Sequence, residues 1–279
     1  MTELIHMFSY DFIQRALIVG LLISLCAALL GVILVQKRYS LIGHGLGDVG
    51  FASTSLAVAL GLPILPVSIP IVIIAACAIM FYSQKVKSSG DIAIGMVATG
   101  ALATGVVITA VSGGFNVDVS DYMFGSILAM SDIDVLLSLI LSAVIILLFV
   151  LCYNRLFLVT CDETFAKAGG LNVGFYQFII ALLTALTVVL GMRMMGSLLI
   201  SSLIIFPAVT AGKLVGSFKA VVCTSVVLSM VCFFFGIILS FKINLPTGAS
   251  IVLVNIAVLL AVILVKKCIV TVKNSLKHS

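Results

Sequence analysis

The sequence predicts an all-α protein, a polytopic bundle of about nine membrane-spanning helices forming one domain over residues 1–279. Three observations predict it. The chain is 63% hydrophobic and 9% charged, with a mean hydropathy of +1.39; a soluble domain carries about 25% charged residues and about 45–50% apolar ones. Apolar runs close to the roughly 20 residues that a spanning helix needs recur along the whole length. No stretch alternates apolar and polar residues as a barrel strand does, so backbone groups in the bilayer must be satisfied within helices. The same features exclude a soluble fold, a disordered chain and a secreted disulfide scaffold. A soluble enzyme on an anchor is excluded too, because no long polar stretch exists to build one.

In order, the expected spans are 13–35, 41–60, 63–82, 92–111, 134–153, 176–192, 196–211, 219–240 and 248–266. The second is the least hydrophobic and the richest in glycine. Small residues interrupt the fourth and the seventh, and Pro207 interrupts the seventh further. Residues Met1 to Asp11 lack a basic start, and no small-residue cleavage site follows the first apolar run, so no cleavable signal peptide is expected.

Lysine and arginine set the orientation, since they collect in cytoplasmic loops. With the N-terminus outside, Lys37, Arg38, Lys85, Lys87, Arg155, Lys167, Lys213, Lys219, Lys266, Lys267, Lys273 and Lys277 all face inward, and only Arg15, Arg193 and Lys242 face outward. A missed or invented span would scramble that bias. The C-terminus is then cytoplasmic, and Asp118, Asp121, Asp132 and Asp134 gather in an outer loop, 112–134.

Two loops are long enough to carry a role. In the outer one, Tyr122 to Met130 is apolar and suits a short re-entrant or interfacial helix. The inner one, Asn154 to Gly174, holds a helix-forming stretch, Asp162 to Ala168, which Gly169-Gly170 would stop. A short cytoplasmic helix between spans is a docking element for a soluble partner; an ordinary connection is the other reading.

Ionisable residues inside a bilayer are costly and usually functional. His44 and Asp48 stand out, in LIGHGLGDVGFAS (Leu41 to Ser53). Four residues apart, they share one helix face, with Cβ atoms about 6 Å apart. An imidazole and a carboxylate so placed can hold a divalent transition metal such as zinc, manganese or ferrous iron. Gly43, Gly45, Gly47 and Gly50 let a neighbouring helix or a passing ion approach the backbone. An ion pair that only neutralises itself, or a His44 placed at the inner headgroups, would explain the same residues. Two ligands make a poor structural zinc site, which wants four, but a transit site must release its ion.

Other candidates have plainer roles. Asp91 suits a helix start, where a carboxylate complements the dipole. Arg193 falls in an outer turn. Met192, Met194 and Met195 suit packing better than copper(I). His6 and His278 are terminal. The seven cysteines, Cys26, Cys77, Cys152, Cys161, Cys223, Cys232 and Cys268, contain no CxxC pair and read as small buried hydrophobes. Zinc-protease, nucleophile-elbow and phosphate-loop motifs are missing, so energy for active transport must come from another subunit.

Several segments together resemble a known group. They are FIQRALIVGLLISLCAALLGVILVQKRYSLIG (Phe12 to Gly43), DIAIGMVATGALATGVVI (Asp91 to Ile108), DYMFGSILAMS (Asp121 to Ser131), FAKAGGL (Phe165 to Leu171), GSLLISSLIIFPAVTAGKL (Gly196 to Leu214) and LPTGASIVLV (Leu245 to Val254). In this order the chain resembles the membrane permease subunit of bacterial ABC importers for zinc or manganese. The resemblance implies a multi-pass protein of the bacterial cell membrane, a homodimer with a metal path near its axis, and rocking of two bundles around a midplane site. It implies an extracellular metal-binding lipoprotein or periplasmic binding protein as donor and a cytoplasmic ABC ATPase dimer as motor. Hydrolysis then belongs to that ATPase, and this chain is not an enzyme. No resident cofactor and no nucleic-acid partner are implied; the metal is cargo, zinc first and manganese second, and the surroundings are membrane lipid. The resemblance assigns Asp162, Glu163, Ala166 and Gly169 to the loop that couples to the ATPase, and His44 and Asp48 to the metal path. The family's second span reads Gly-Asp-x-x-x-His, whereas here His44 precedes Asp48, so the two ligand types are exchanged. A permease for a metal chelate or vitamin on a related bundle, and a membrane-embedded metalloenzyme, are the alternatives.

Overall fold

The structure is a computed structural model that describes residues 11–86, 90–112, 132–243 and 245–275. Ten helices account for nearly all of them: α1 (Asp11–Gln36), α2 (Ile42–Ala59), α3 (Ile64–Val86), α4 (Gly90–Val111), α5 (Asp132–Cys161), α6 (Glu163–Ala168), α7 (Val173–Met195), α8 (Ser197–Leu214), α9 (Phe218–Ile243) and α10 (Thr247–Ser275). Every helix but α6 has the length of a span. Eight of them are also apolar enough to cross a membrane, and α2, which carries the glycines, His44 and Asp48, is the ninth. The chain is therefore an all-helical, multi-pass membrane bundle.

Neither Pro207 nor the small residues of the fourth span divide a helix: α8 and α4 are continuous. Asp91 stands in the first turn of α4. The expected inner loop is shorter than its sequence suggests. Helix α5 runs eight residues past the expected end at 153, because no breaker intervenes before Asp162. Arg155, inside that extension, donates to the Tyr176 hydroxyl at 2.7 Å. The segment Tyr122 to Met130 lies outside the described residues.

The bundle is layered. Helices α1, α7 and α8 form the interior, with 67%, 67% and 56% of their spans buried, while α3, α4, α5 and α10 lie outside at 22–28%. Small residues make the inner contacts, as packing without a water-driven hydrophobic term requires. At Gly31 of α1, a Cβ would collide with the Ile204 backbone oxygen of α8. Helix α9 is registered on α1 by two serines one turn apart: Ser229 Oγ donates to the Ser24 oxygen at 3.0 Å and Ser225 Oγ to the Ala28 oxygen at 3.4 Å. The methionines at the α7 end, Met192, Met194 and Met195, are core residues.

Candidate functional site: an open polar stripe and a clasped connecting helix

Helix α2 touches α3, α4, α7 and α8, and its glycines decide which face stays open. A Cβ on Gly43 would meet Ile204 and Ser201 at 3.0 and 3.3 Å, and one on Gly47 would meet Ser197 at 3.1 Å, so this stripe lies against α8. On the other flank, a Cβ on Gly45 would meet Ile94 at 2.5 Å, so α4 closes there. At 100° per residue, His44 and Asp48 fall between the two flanks. The His44 side chain is 57% exposed and that of Asp48 15%. The sequence-predicted pair is thus brought together on one open face.

The two groups do not close on each other. His44 Nε2 stands 3.9 Å from Asp48 Oδ2, beyond hydrogen-bond range. Two ligands bound at about 2.1 Å around a tetrahedral ion lie about 3.4 Å apart, so a small side-chain adjustment would place one ion between them. Among the described residues no third His, Cys, Asp or Glu joins this pair. Along the helix, His44 is in the first turn and Asp48 in the second. The pair therefore sits toward the end of α2 that follows Lys37 and Arg38, not at its centre.

The second set of predicted residues lies at the same end. Asp162 caps α6, its Oδ1 accepting from the Thr164 and Phe165 amides at 2.8 and 2.9 Å. Glu163 turns inward, its Oε1 accepting from Lys37 Nζ at 2.7 Å and from Gln177 Nε2 at 2.9 Å. One carboxylate thereby ties α6 to the end of α1 and to α7. Ala166 is buried beneath the helix. Gly169 is the C-cap residue with an ordinary φ of −76°, and the left-handed position belongs to Gly170 at φ +79°. There the Leu171 amide donates to the Ala166 oxygen and the Gly170 amide to the Lys167 oxygen, both at 3.0 Å, which is the Schellman closure that favours glycine. The outward surface of α6 is Phe165, 64% exposed, flanked by Thr164 and Ala168. Sequence reasoning missed Phe165 and the partners of Glu163. Lys37 was legible only as a topology charge, though an aromatic on a polar connecting helix was a usable signal.

The family model for the ABC 3 transport family matches residues 9–266. The chain belongs to that family. It is 28% identical over 246 residues to the high-affinity zinc uptake system membrane protein ZnuB of Haemophilus influenzae, covering 88% of this chain and 94% of that one. It is 26% identical over 251 residues to the manganese import system permease protein ScaB of Streptococcus gordonii, covering 90% of each. Among solved structures it resembles PsaBC from Streptococcus pneumoniae in complex with Fab, with a TM-score of 0.80, 28% identity and 92% of each chain covered. As a member of the ABC 3 family, the chain is a transporter's membrane subunit and not an enzyme, with ATP hydrolysis residing in a separate subunit. The metalloenzyme alternative is thereby set aside.

Proposed function

We propose that this chain is the permease subunit of an ABC importer that carries a divalent metal ion into the cytoplasm, zinc ahead of manganese. The observation that carries the proposal is the imidazole and carboxylate on the open stripe of α2, near each other but not clasped. Nitrogen and oxygen donors suit both ions, and the general affinity order favours zinc. Relatives named for zinc and for manganese are consistent with this donor set.

A single copy offers two donors. A second copy meeting the first along the open stripe would supply two more and complete a four-coordinate set, which favours a homodimer with the path at its interface. The N-terminus lies outside, as the lysine and arginine bias requires. In this orientation the pair stands toward the inner side, close to the exit. An extracellular binding protein delivers the ion, and a cytoplasmic ATPase dimer drives alternation. The ATPase bears on the exposed surface of α6 around Phe165, with Gly169 beside it. Asp162 and Glu163 hold that helix in shape and in place, and Ala166 seats it against the bundle.

Uptake of radioactive zinc and manganese into vesicles holding the permease and its ATPase tests this. ATP-dependent zinc uptake is expected, with manganese slower and both abolished by His44→Ala in an intact complex. Full uptake by that variant removes the pair from the path.

A further inference from the structure

We propose that the groove between the C-terminal end of α8 and the facing turns of α10 is a binding site for an anionic phospholipid. The groove has a volume of about 430 Å³ and is lined by Lys213, Leu214, Ala261, Val262, Val265 and Lys266. Its floor is aliphatic, and Leu214 and Val265 are more than half exposed to the surroundings of the bundle. Its rim is cationic. Lys266 Nζ donates to the Lys213 backbone oxygen at 2.7 Å, which satisfies one of the carbonyls left open at the α8 terminus. An ammonium has three donors, so two remain on Lys266, and Lys213 adds a second cation at the same rim. An acyl chain on the floor and a phosphate at the rim match this division of apolar and charged surface. Basic pockets between spanning helices take anionic headgroups in the same manner.

Charge accounting strengthens the assignment. From Thr164 to Ser279 the sequence contains no Asp or Glu, yet it carries Lys167, Arg193, Lys213, Lys219, Lys242, Lys266, Lys267, Lys273 and Lys277. Helices α7 to α10 therefore have no side-chain carboxylate of their own to set beside Lys213 and Lys266. Glu163 is held by Lys37, and Asp48 lies beside His44. Two like charges sharing one groove attract an anion, and at the end of an apolar span the abundant anion is a lipid phosphate. The assignment is independent of which ion is transported.

Native mass spectrometry of the full chain, purified with its copurifying subunits and exposed to phosphatidylglycerol or phosphatidylcholine, tests it. The parent is expected to retain phosphatidylglycerol several-fold over phosphatidylcholine. The variant Lys213→Gln/Lys266→Gln should lose that preference, and Lys213→Arg/Lys266→Arg should keep it. Val262→Trp, which fills the groove and spares both charges, should lower retention as well. Unchanged preference in the Gln variant overturns the proposal. So does full retention in Val262→Trp, which would reduce the lysines to a diffuse surface charge. Loss of ATPase copurification with lipid retention intact would make the groove a protein contact instead.

Discussion

The molecule holds two base–carboxylate pairs at the same end of the bundle, and they are built in opposite ways. Lys37 and Glu163 meet at 2.7 Å, with the lysine side chain 7% exposed and Gln177 completing the carboxylate's partners. His44 and Asp48 stand 3.9 Å apart, with the imidazole 57% exposed. The first arrangement has spent its donors on the protein; the second has kept its donors for something else. A satisfied pair with its lysine buried fixes one element against another, since breaking it strands that charge. A loose pair on an open stripe holds nothing in place, and the membrane cost of its two polar groups is recovered only when a ligand comes. Proximity of a basic and an acidic side chain in space therefore does not distinguish a strut from a site; closure does.

Substitutions at three places sharpen or break that contrast. The largest effect is expected at Asp48→Ala. Loss of even a supporting residue around a metal costs about 10–100-fold in affinity, so losing a ligand should lower zinc uptake by at least about 100-fold without disturbing assembly. The exchanged variant His44→Asp/Asp48→His should keep uptake within about tenfold of the parent, because the same donors share the same face. If Asp48→Ala unfolds the chain while transport survives in the fraction that folds, the pair is a strut after all.

A smaller effect follows from Glu163→Ala. It leaves the Lys37 ammonium without its carboxylate. Because Glu163 itself is 40% exposed, solvent screening reduces the cost to about 1 kcal/mol. That corresponds to about a fivefold change in the equilibrium seating of α6, so fewer ions should be moved per ATP hydrolysed, read by measuring hydrolysis and uptake on the same vesicles. Equal losses of hydrolysis and uptake would mean that Glu163 shapes the docking surface and does not transmit force. The smallest effect belongs to Asp162→Ala, which removes only a helix cap, worth about 1 kcal/mol in a typical case. Amide exchange at Thr164 and Phe165 should quicken about fivefold, with Asp162→Asn restoring it and uptake nearly unchanged. A larger transport defect here than in Glu163→Ala would reverse the ranking of clasp and cap.

The fold was legible to the extent that the bilayer dictates it. Unbroken apolar length announces a span, and the helix starts at Ile42, Ile64 and Ser197 fall within a residue of the expected positions. What apolarity does not announce is where a helix stands in the bundle. Helix α5, with a hydropathy of 3.2, lies outside at 22% buried, whereas α8, at 1.7, lies within at 56%. In lipid, an outward leucine is as well solvated as an inward one, so depth is written in small residues such as Gly31 and in hydroxyls such as Ser225 and Ser229. The end of α5 was misplaced for a related reason. Asn154 to Cys161 has polar residues but no breaker, and polarity marks where lipid ends without marking where a helix ends.

By itself, the sequence determined that this chain is a membrane-spanning helical bundle, that His44 and Asp48 share a face, and that a short helix-forming stretch runs from Asp162 to a stop at Gly169-Gly170. These are matters of apolar length, of 3.6-residue periodicity and of local hydrogen bonding, all of which act within a few residues of chain. Only the tertiary structure decided that the face of His44 and Asp48 stays open between α4 and α8, and that Glu163 is held by Lys37 and Gln177. Those outcomes rest on close approaches between segments as distant in the chain as Gly43 and Ile204, or Lys37 and Glu163, where the absence of a Cβ or the reach of one ammonium selects the neighbour.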